Sequence, residues 1–525
     1  MQLTGSQYIG SSTSLKGDHF FQAINPVTGE DLPGQYADAT SEEIDAAVAL
    51  AEAAFSAYGK SNNIARAEFL EAIADEIMAL GDDLIARAME ETALPEGRLV
   101  GERGRTVGQL RLFAKVVREG SWVDARIDPA LPDREPLPRS DIRQMLQPLG
   151  PVAVFGASNF PLAFSVAGGD TASALASGCT VVIKGHPAHP GTSELVFRAI
   201  LAAGIKTGMP DGVASLIHGA GHAPGMHLVQ HSLIQAVGFT GSFKGGKALF
   251  DLANNRPFPI PVFAEMGSTN PVFILPGALE ERGSKIAEGL AASVTLGVGQ
   301  FCTNPGMVLM EKNMAASFKA TLADKIKVNP GGTMLTKGIR QAYEGGIRRL
   351  SETTEVALLS EGEADSSATG APAKIFTTTT GKLKSNPELA EEIFGPSSIL
   401  IEADEREELI ESAKLLDGHL TATVHGTPSD LQEYQDLIAI LERKVGRIII
   451  NGFPTGVEVC HAMVHGGPYP ATTNAQSTSV GTNAIKRFAR PVCYQDFPDS
   501  LLPDALKHEN PLNIWRLVDG DLKKE

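Results

Sequence analysis

Short apolar segments alternate with helical patterns from Pro151 onward, and this alternation constrains the fold more than any other feature. Its apolar segments have the length and composition of strands buried on both faces. They are PVAVF (151–155), TVVIK (180–184), VASLIHG (213–219), IQAVGF (234–239) and IPVFAEM (260–266). Strands separated by helices of ten or more residues form βαβ units and a parallel sheet. The sequence therefore predicts an α/β fold.

A second alternating series begins near Pro271. Its apolar segments are GMVLM (306–310), SSILIE (397–402), LTATVHG (420–426) and GRIIIN (446–451). Because 525 residues exceed what one hydrophobic core usually organises, we interpret the two series as two α/β domains. Residues 40–118 are predicted to be mainly helical, and residues 121–139 are interpreted as a loop-rich connector. The segment 142–150 and the tail beyond Thr478 fit neither series.

Charge and cysteine usage limit the partners and the compartment. The net charge of −17 argues against nucleic acid and anionic membranes, since both require a basic surface. The four cysteines share no close spacing, so no metal site and no disulfide framework is predicted. Free thiols indicate a reducing compartment, and no apolar signal segment precedes residue 21, so we expect a cytoplasmic protein. Prolines and glycines interrupt the weakly charged stretch 144–169, which excludes a membrane helix there.

One candidate nucleophile is Cys302, in the segment GQFCTNPG (299–306). A lone cysteine is more often a buried structural residue. Here, however, the glycine-containing turn exposes backbone amides beside the thiol. Such amides stabilise a thiolate and also the oxyanion that forms after attack on a carbonyl. The segment therefore favours nucleophilic chemistry.

Two further segments place polar side chains at the ends of predicted strands. Glu265 ends an apolar strand in FAEMGSTNP (263–271); it could cap the next turn, or act as a general base with a pKa raised by apolar neighbours. Asn159 follows a strand in FGASNFP (155–161); it could form a turn or donate its amide to an oxyanion. Neither residue alone decides between these roles.

A glycine-rich segment, FTGSFKGG (239–246), lies at a predicted strand-to-helix junction. Glycines there allow a phosphate to approach the amino terminus of a helix. The spacing differs from the G-x-G-x-x-G pattern of the usual dinucleotide-binding turn. Alone, the segment is weak evidence for a cofactor site.

Taken together and in this order, the segments resemble the aldehyde dehydrogenase superfamily. That family shows an Asn after a strand, a Lys ending the next strand, a Gly-rich turn, a strand-end Glu, a Cys loop and a Glu-x-Phe-Gly-Pro segment. Here these are Asn159, Lys184, residues 241–246, Glu265, Cys302 and EIFGP (392–396). The resemblance extends from INPVTGE (24–30) to the tail.

The resemblance implies two Rossmann-like α/β domains plus a small β oligomerisation element. We expect a cofactor-binding domain at 1–129 and 151–265 and a catalytic domain at 266–450. The oligomerisation element and tail are expected at 130–150 and 478–525, which accounts for segments that fit neither series. A homodimer or homotetramer follows from the resemblance alone.

The resemblance also assigns roles. Cys302 attacks the aldehyde carbon, Asn159 and the Cys302 backbone N–H stabilise the oxyanion, and Glu265 activates the water that hydrolyses the thioester. The residues expected to hold the cofactor are Lys184, Gly241, Ser242, Gly246, Glu392 and Phe394. Among these, Lys184 and Glu392 would hold the nicotinamide ribose, Phe394 would pack near the ring, and Ser242 and Gly246 would meet the pyrophosphate.

The expected cofactor is NADP, with NAD possible. Relatives that prefer NAD carry a Glu three residues after the Lys, where it binds both ribose hydroxyls and repels a 2′-phosphate. Here that position is Pro187. Loss of the carboxylate removes a repulsion worth several kcal/mol at an effective dielectric near 20.

The expected substrate is a short aldehyde with a distal carboxylate. GERGRTVGQLRLFA (101–114) and KGHPAHPGTSE (184–194) are most similar to α-ketoglutaric semialdehyde dehydrogenases. Phe160, Phe164 and Phe301 would line an apolar tunnel, and the resemblance places Arg105 within it. A solvated helix arginine remains the alternative, and Arg103 and Arg111 are the other candidates.

Three other functions are considered. An NADP-linked long-chain aliphatic aldehyde dehydrogenase shares part of the pattern. A CoA-acylating semialdehyde dehydrogenase lacks the general-base Glu, whereas Glu265 is present. A non-catalytic scaffold has no need of Asn159, Glu265 and Cys302 together.

Overall fold

The computed structural model describes residues 2–524, and its first sheet has seven strands. In spatial order they are Val262–Glu265, Ala236–Thr240, Val152–Phe155, Val181–Lys184, Ala214–Ile217, Gln7–Ile9 and Ser12–Ser14. The first five are parallel, and the hairpin formed by the last two is joined to them in antiparallel fashion. The strand Val181–Lys184 is buried along its whole length, as its apolar sequence predicts.

The second sheet also has seven strands. In spatial order they are Ala357–Glu361, Lys374–Thr379, Ser397–Ala403, Met307–Glu311, Val272–Ile274, His419–His425 and Val445–Ile450. All neighbours are parallel except the first pair. Both predicted series of strands are therefore confirmed, and so is the α/β class.

A third sheet of five strands joins distant parts of the chain. Its order is Ala489–Gln495, Ile142–Pro148, Arg126–Asp128, Arg516–Val518 and Asp521–Lys523. The interpretation of residues 121–139 as a connector was wrong for residues 126–128, which pair with 142–144. A strand of three residues carries too little alternation to be recognised, and its partners supply its stability. Two-stranded ladders form between Phe20–Phe21 and Tyr36–Ala37 and between Gly332–Thr333 and Gly370–Ala371.

Helices cover the parallel sheets and form most of the segment predicted to be helical. The α-helices are Ser41–Tyr58, Asn63–Ala79, Gly81–Thr92, Glu96–Glu119, Gly169–Ser177, Pro190–Thr207, Ala223–Gln230, Phe243–Asn254, Pro276–Thr295, Ala316–Lys327, Lys337–Glu352, Thr380–Ser385, Arg406–Leu415, Pro428–Glu433 and Gln435–Leu441. Short 3₁₀ helices lie at Ser121–Val123, Leu296–Gly299, Lys312–Met314, Pro387–Ala390, Thr482–Phe488, Asp499–Leu501 and Asp504–Leu506. None of the helices between residues 2 and 524 has both the length and the apolar composition to cross a bilayer.

The carboxyl ends of the first sheet's strands supply most of the side chains singled out above. Lys184 and Glu265 are the last residues of their strands, and Asn159 follows Val152–Phe155 in the chain. In open parallel sheets, ligands bind at this edge. Cys302 approaches from the other half of the molecule, just before the strand Met307–Glu311.

The segment 451–488 leaves the second sheet and returns to the first. Met266 N donates to Ala471 O over 2.8 Å, and Thr473 N donates to Ala264 O over 3.1 Å. Farther along, an ion pair of 2.7 Å joins Arg487 to Asp170, with the two side chains 3% and 11% exposed. Buried pairs of this kind leave an uncompensated charge when one partner is removed. The segment is thus anchored to the first sheet near its middle and at its end.

We predict that Arg487→Met lowers the free energy of unfolding by about 3–5 kcal/mol, because Asp170 then stays buried without its cation. The double variant Asp170→Asn/Arg487→Met should recover part of the loss. The matched control is Arg118→Met, which breaks the exposed Arg118–Glu71 pair and should change stability by about 0–1 kcal/mol. Urea unfolding followed by tryptophan fluorescence measures all three. Equal losses of stability in Arg487→Met and Arg118→Met would show that the Arg487–Asp170 pair does not anchor the segment.

Candidate active site

The loop that carries Cys302 is fixed by one buried side chain, Asn270. Its Nδ2 donates to Cys302 O over 2.8 Å and to Asn304 O over 2.9 Å. Its Oδ1 accepts from Thr421 Oγ1 over 3.0 Å. Asn270 has a φ of 49°, in the left-handed region that asparagine tolerates better than most residues. The thiol position therefore depends on a residue that the sequence analysis did not single out.

Three chemically different side chains meet at the thiol. Cys302 Sγ lies 3.4 Å from His465 Nε2, and that nitrogen lies 2.8 Å from Glu265 Oε1. Ser479 Oγ donates to Glu265 Oε2. The side chains of Glu265 and His465 are 3% and 1% exposed. The arrangement joins a nucleophile to a carboxylate and an imidazole with almost no water around the last two.

Burial and the nearby Glu265 carboxylate raise the pKa of Cys302 well above its ordinary value, against an opposing effect of Arg105. The resting thiol is therefore protonated at neutral pH. The expectation that backbone amides favour the thiolate fails for the resting enzyme, because desolvation and a negative neighbour outweigh them. Deprotonation must accompany the reaction.

The expected rise in the pKa of Glu265 is wrong. Burial alone would raise this pKa, but His465, Ser479 and Cys302 together lower it. The apolar residues that flank Glu265 along the strand are not its neighbours in space; His465 and Ser479 are. Glu265 is accordingly a charged carboxylate, ready to accept a proton.

Asn159 lies beside the Cys302 loop, where its Nδ2 donates to Gln300 O over 3.0 Å. An amide nitrogen carries two hydrogens, so a second donor remains for an oxyanion. The backbone carbonyl of Asn159 accepts from Arg98 Nη2 over 2.8 Å. The Arg98 guanidinium also lies 4.6 Å from the ring centres of both Phe160 and Phe301. Arg98 thus positions the expected oxyanion donor, a role without any signal in the sequence.

The three expected tunnel aromatics form one cluster. Phe160 lies 5.2 Å from Phe164 and 5.6 Å from Phe301 between ring centres, both edge to face. The Arg105 guanidinium lies 5.2 Å from the Phe164 ring centre and 5.9 Å from that of Phe160. Nε and Nη2 of Arg105 are buried and have no hydrogen-bond partner among residues 2–524. A cation with free donors therefore lies against the aromatic cluster.

The other two candidate arginines are engaged elsewhere. Arg103 Nη1 donates to the carbonyl of Gly81 over 2.7 Å. Arg111 pairs with Asp75 at 2.9 Å, and both side chains are more than half exposed. Of the three arginines on the helix Glu96–Glu119 considered for the substrate, only Arg105 contacts the tunnel aromatics.

Of the two residues expected at the ribose, Lys184 is buried and Glu392 is half-buried. Burial lowers the pKa of Lys184 to about 8, and its Nζ donates to Gly219 O. Burial raises the pKa of Glu392 to about 7, and its Oε1 accepts from Ser268 N over 3.3 Å. A Cβ at Gly267 would lie 2.1 Å from Glu392 Oε2, so only glycine allows this approach. Glu392 and Phe394 line a shared cleft.

The glycine-rich turn places no side-chain atoms of Gly241 or Gly246 at the start of the helix Phe243–Asn254. Ser242 caps the helix by accepting from Gly245 N over 3.2 Å. A Cβ on Gly241 would lie 2.7 Å from the Phe239 ring, and one on Gly246 would lie 2.6 Å from Met266. Exposed amides at a helix amino terminus bind phosphate. Together with Lys184 and Glu392, these residues fit a dinucleotide.

Four residues of the site were not predicted from the sequence: Arg98, Asn270, His465 and Ser479. Of these, His465 lies against the thiol itself. It follows Cys302 by 163 residues, so no local spacing connects the two. The segment 451–477 was assigned to no domain.

Comparison with known proteins agrees with this geometry. Residues 13–488 match the aldehyde dehydrogenase family. The chain is 53% identical over 522 residues to alpha-ketoglutaric semialdehyde dehydrogenase 2 of Azospirillum brasilense, covering 99% of each chain. It is 48% identical over 520 residues to the alpha-ketoglutaric semialdehyde dehydrogenase of Acinetobacter baylyi, covering 99% of this chain and 98% of that one.

Solved structures show the same fold. Betaine aldehyde dehydrogenase of Staphylococcus aureus superposes with a TM-score of 0.80 at 21% identity, covering 94% of this chain and 96% of the other. The 1-pyrroline-5-carboxylate dehydrogenase of Thermus thermophilus gives 0.78 at 20% identity, covering 93% and 92%. The chain therefore belongs to the aldehyde dehydrogenase family and is an oxidoreductase that oxidises an aldehyde with NAD(P).

Proposed function

We propose that this enzyme oxidises α-ketoglutaric semialdehyde to 2-oxoglutarate, with NADP as the preferred cofactor. The choice of substrate rests on Arg105. Its guanidinium lies against the rings of Phe160 and Phe164, and its buried Nε and Nη2 have no hydrogen-bond partner among residues 2–524. The names of two full-length relatives at 53% and 48% identity support the same substrate.

Electrostatics favour an anionic substrate beside Arg105. Burial lowers the pKa of Arg105, but the guanidinium stays charged because its ordinary pKa is so high. A buried charge without a hydrogen-bonding partner is costly, and a substrate carboxylate supplies planar, two-point hydrogen bonding to it. The aromatic rings accommodate the short carbon chain. A long aliphatic aldehyde would instead leave this cation unpaired, which argues against the long-chain alternative.

The reaction begins with transfer of the thiol proton. Cys302 transfers its thiol proton to the Glu265–His465 pair, whose atoms lie within reach of the sulfur. The thiolate attacks the aldehyde carbon, and the resulting oxyanion accepts from Asn159 Nδ2 and the Cys302 backbone N–H. One such donor typically contributes about 3–4 kcal/mol to the barrier reduction. NAD(P), when bound, would accept the hydride of this carbon, and its loss would convert the thiohemiacetal to a thioester.

Hydrolysis reuses the same carboxylate. After the first proton has left for solvent, Glu265 accepts a proton from the water that attacks the thioester carbon. Collapse of the tetrahedral adduct breaks the carbon–sulfur bond, and the sulfur regains a proton from the Glu265–His465 pair. Because His465 and Ser479 lower the pKa of Glu265, the carboxylate is charged at each turnover.

The cofactor preference rests on Pro187 and Lys184. Pro187 places no carboxylate where relatives that prefer NAD have one, and Lys184 remains largely protonated at neutral pH with a pKa of about 8. Nearby His186 is half-buried, and its desolvation, together with His189 and Lys184, lowers its pKa well below the ordinary value and leaves it neutral. The local charge therefore favours a 2′-phosphate.

We further propose the domains, assembly and location expected from the sequence. The cofactor-binding part comprises 1–129 and 151–265, the catalytic part comprises 266–450, and residues 130–150 and 478–525 serve oligomerisation in a homodimer or homotetramer. Exposed apolar residues of that tail, including Leu501, Trp515 and Leu522, support an interface there. Four free cysteines support a reducing, cytoplasmic setting.

We predict that Arg105→Met raises KM for α-ketoglutaric semialdehyde by about ten-fold or more, because the carboxylate loses its partner. KM for an unbranched alkyl aldehyde of equal length should stay within about two-fold. Arg103→Met is the matched control on the same helix and should leave both values unchanged. Steady-state kinetics with the two aldehydes measure both KM values. Equal losses on both substrates would assign the carboxylate to another residue.

We predict that Glu265→Gln gives a burst of reduced cofactor close to one per active site, with His465 alone accepting the thiol proton, and then stalls. The amide cannot take the proton of the attacking water, so steady-state turnover should fall by about 10²-fold or more. Cys302→Ala should bind cofactor but show no burst. Stopped-flow absorbance of the reduced cofactor measures both. Steady turnover of Glu265→Gln at the wild-type rate would exclude Glu265 as the base.

We predict that Pro187→Glu lowers kcat/KM for NADP by about ten-fold or more through repulsion of the 2′-phosphate. The value for NAD should hold or rise. Pro187→Gln is the neutral control of equal size and should keep the wild-type preference. If the wild-type enzyme itself favoured NAD in kcat/KM, the assignment of Pro187 would be wrong.

A further inference from the structure

Glu265, Cys302 and His465 bring three kinds of donor atom together: a carboxylate oxygen, a thiol sulfur and an imidazole nitrogen. All three donor atoms lie within 4.8 Å of one another. These are the ligands that zinc prefers, and three protein ligands with an open fourth position are typical of accessible zinc sites. No metal site was predicted from the sequence, because the four cysteines are not closely spaced. The three ligands instead come from three separate segments of the chain.

One donor–donor distance already matches a zinc site, and a second is slightly short. Zinc–ligand bonds of about 2.0–2.3 Å in a tetrahedron place ligand atoms roughly 3.3–3.7 Å apart. The observed separation of Cys302 Sγ from His465 Nε2 is 3.4 Å, and that of His465 Nε2 from Glu265 Oε1 is 2.8 Å. The second pair needs to open by about half an ångström, which a small side-chain rotation provides.

The backbone around the cluster is held in place. Asn270 fixes the carbonyl of Cys302, and the bridge between Glu265 and Thr472 fixes the strand end that carries the carboxylate. His465 N donates to Thr478 Oγ1 over 2.8 Å. A site with rigid supports loses little entropy when a cation enters it. Cys302 is half-buried, whereas the other two donors are buried.

We propose that this enzyme reversibly binds one Zn²⁺ per chain at Glu265, Cys302 and His465, and that the bound cation inactivates it. Binding replaces the thiol hydrogen by a sulfur–zinc bond and releases that proton to solvent, with no change of oxidation state. The sulfur is then unavailable to the aldehyde carbon. Mg²⁺ and Ca²⁺ prefer oxygen ligands and should not compete.

The zinc site does not depend on the proposed substrate. Any aldehyde that the enzyme oxidises reports the loss of activity, and metal binding is measured without a substrate. Failure of the Arg105 prediction would therefore leave the zinc site standing, and the reverse also holds.

The test titrates chelator-free enzyme with ZnCl₂ by calorimetry and with CoCl₂ by absorbance, since Co²⁺ bound to a thiolate absorbs in the near ultraviolet. We expect one ion per chain, and inhibition by ZnCl₂ that EDTA reverses. Removal of even an outer partner of a metal ligand costs about 10–100-fold in affinity. His465→Gln and Glu265→Gln should therefore weaken Zn²⁺ binding by about 100-fold, and Cys302→Ala should abolish the thiolate band.

Cys460→Ser is the matched control, because it removes a partly buried cysteine next to His461 and leaves the cluster intact. It should keep both the thiolate band and the inhibition. Binding of NADPH, followed by its fluorescence, checks that each variant is folded. The proposal is overturned if wild-type enzyme binds no zinc, if Cys302→Ala keeps the band, or if Cys460→Ser loses it.

Discussion

The charged carboxylate of Glu265 is 3% exposed, and the architecture of the site depends on how that buried charge is compensated. A carboxylate removed from water destabilises the fold unless close polar partners offset the desolvation. His465 and Ser479 provide this compensation, and both come from the segment that returns from the second sheet. The return of the chain after residue 451 is therefore a condition for a charged base at this position.

The features that could be predicted from the sequence are those that a short stretch of residues determines. Strands such as Val181–Lys184 are short, apolar and bounded by turns, so their pattern is local and readable. Asn159, Glu265 and Cys302 were recognised because each follows or ends such a strand or occupies a glycine-rich loop. Their ordered resemblance to a known family then gave them roles that no single motif supports.

The rest could not be predicted, because it depends on proximity in space. Nothing near His465 in the sequence indicates that its ring contacts the nucleophile 163 residues away. The pKa of Glu265 was expected in the wrong direction because residues adjacent along a strand are not the residues that face its side chain. Arg98 and Asn270 likewise act on backbone carbonyls of distant loops. The short strand Arg126–Asp128 exists only because its partners are supplied from elsewhere.

The isolated bridge between Glu265 and Thr472 has a mechanical consequence. It joins the last residue of a first-sheet strand to the crossing segment, next to the hydrogen bond between Met266 and Ala471. Release of the crossing segment from this strand end would strip Glu265 of His465 and Ser479 together. The buried carboxylate would then lose the contacts that offset its desolvation, so such a release is disfavoured. The segment and the strand that carries Glu265 should therefore move as one unit.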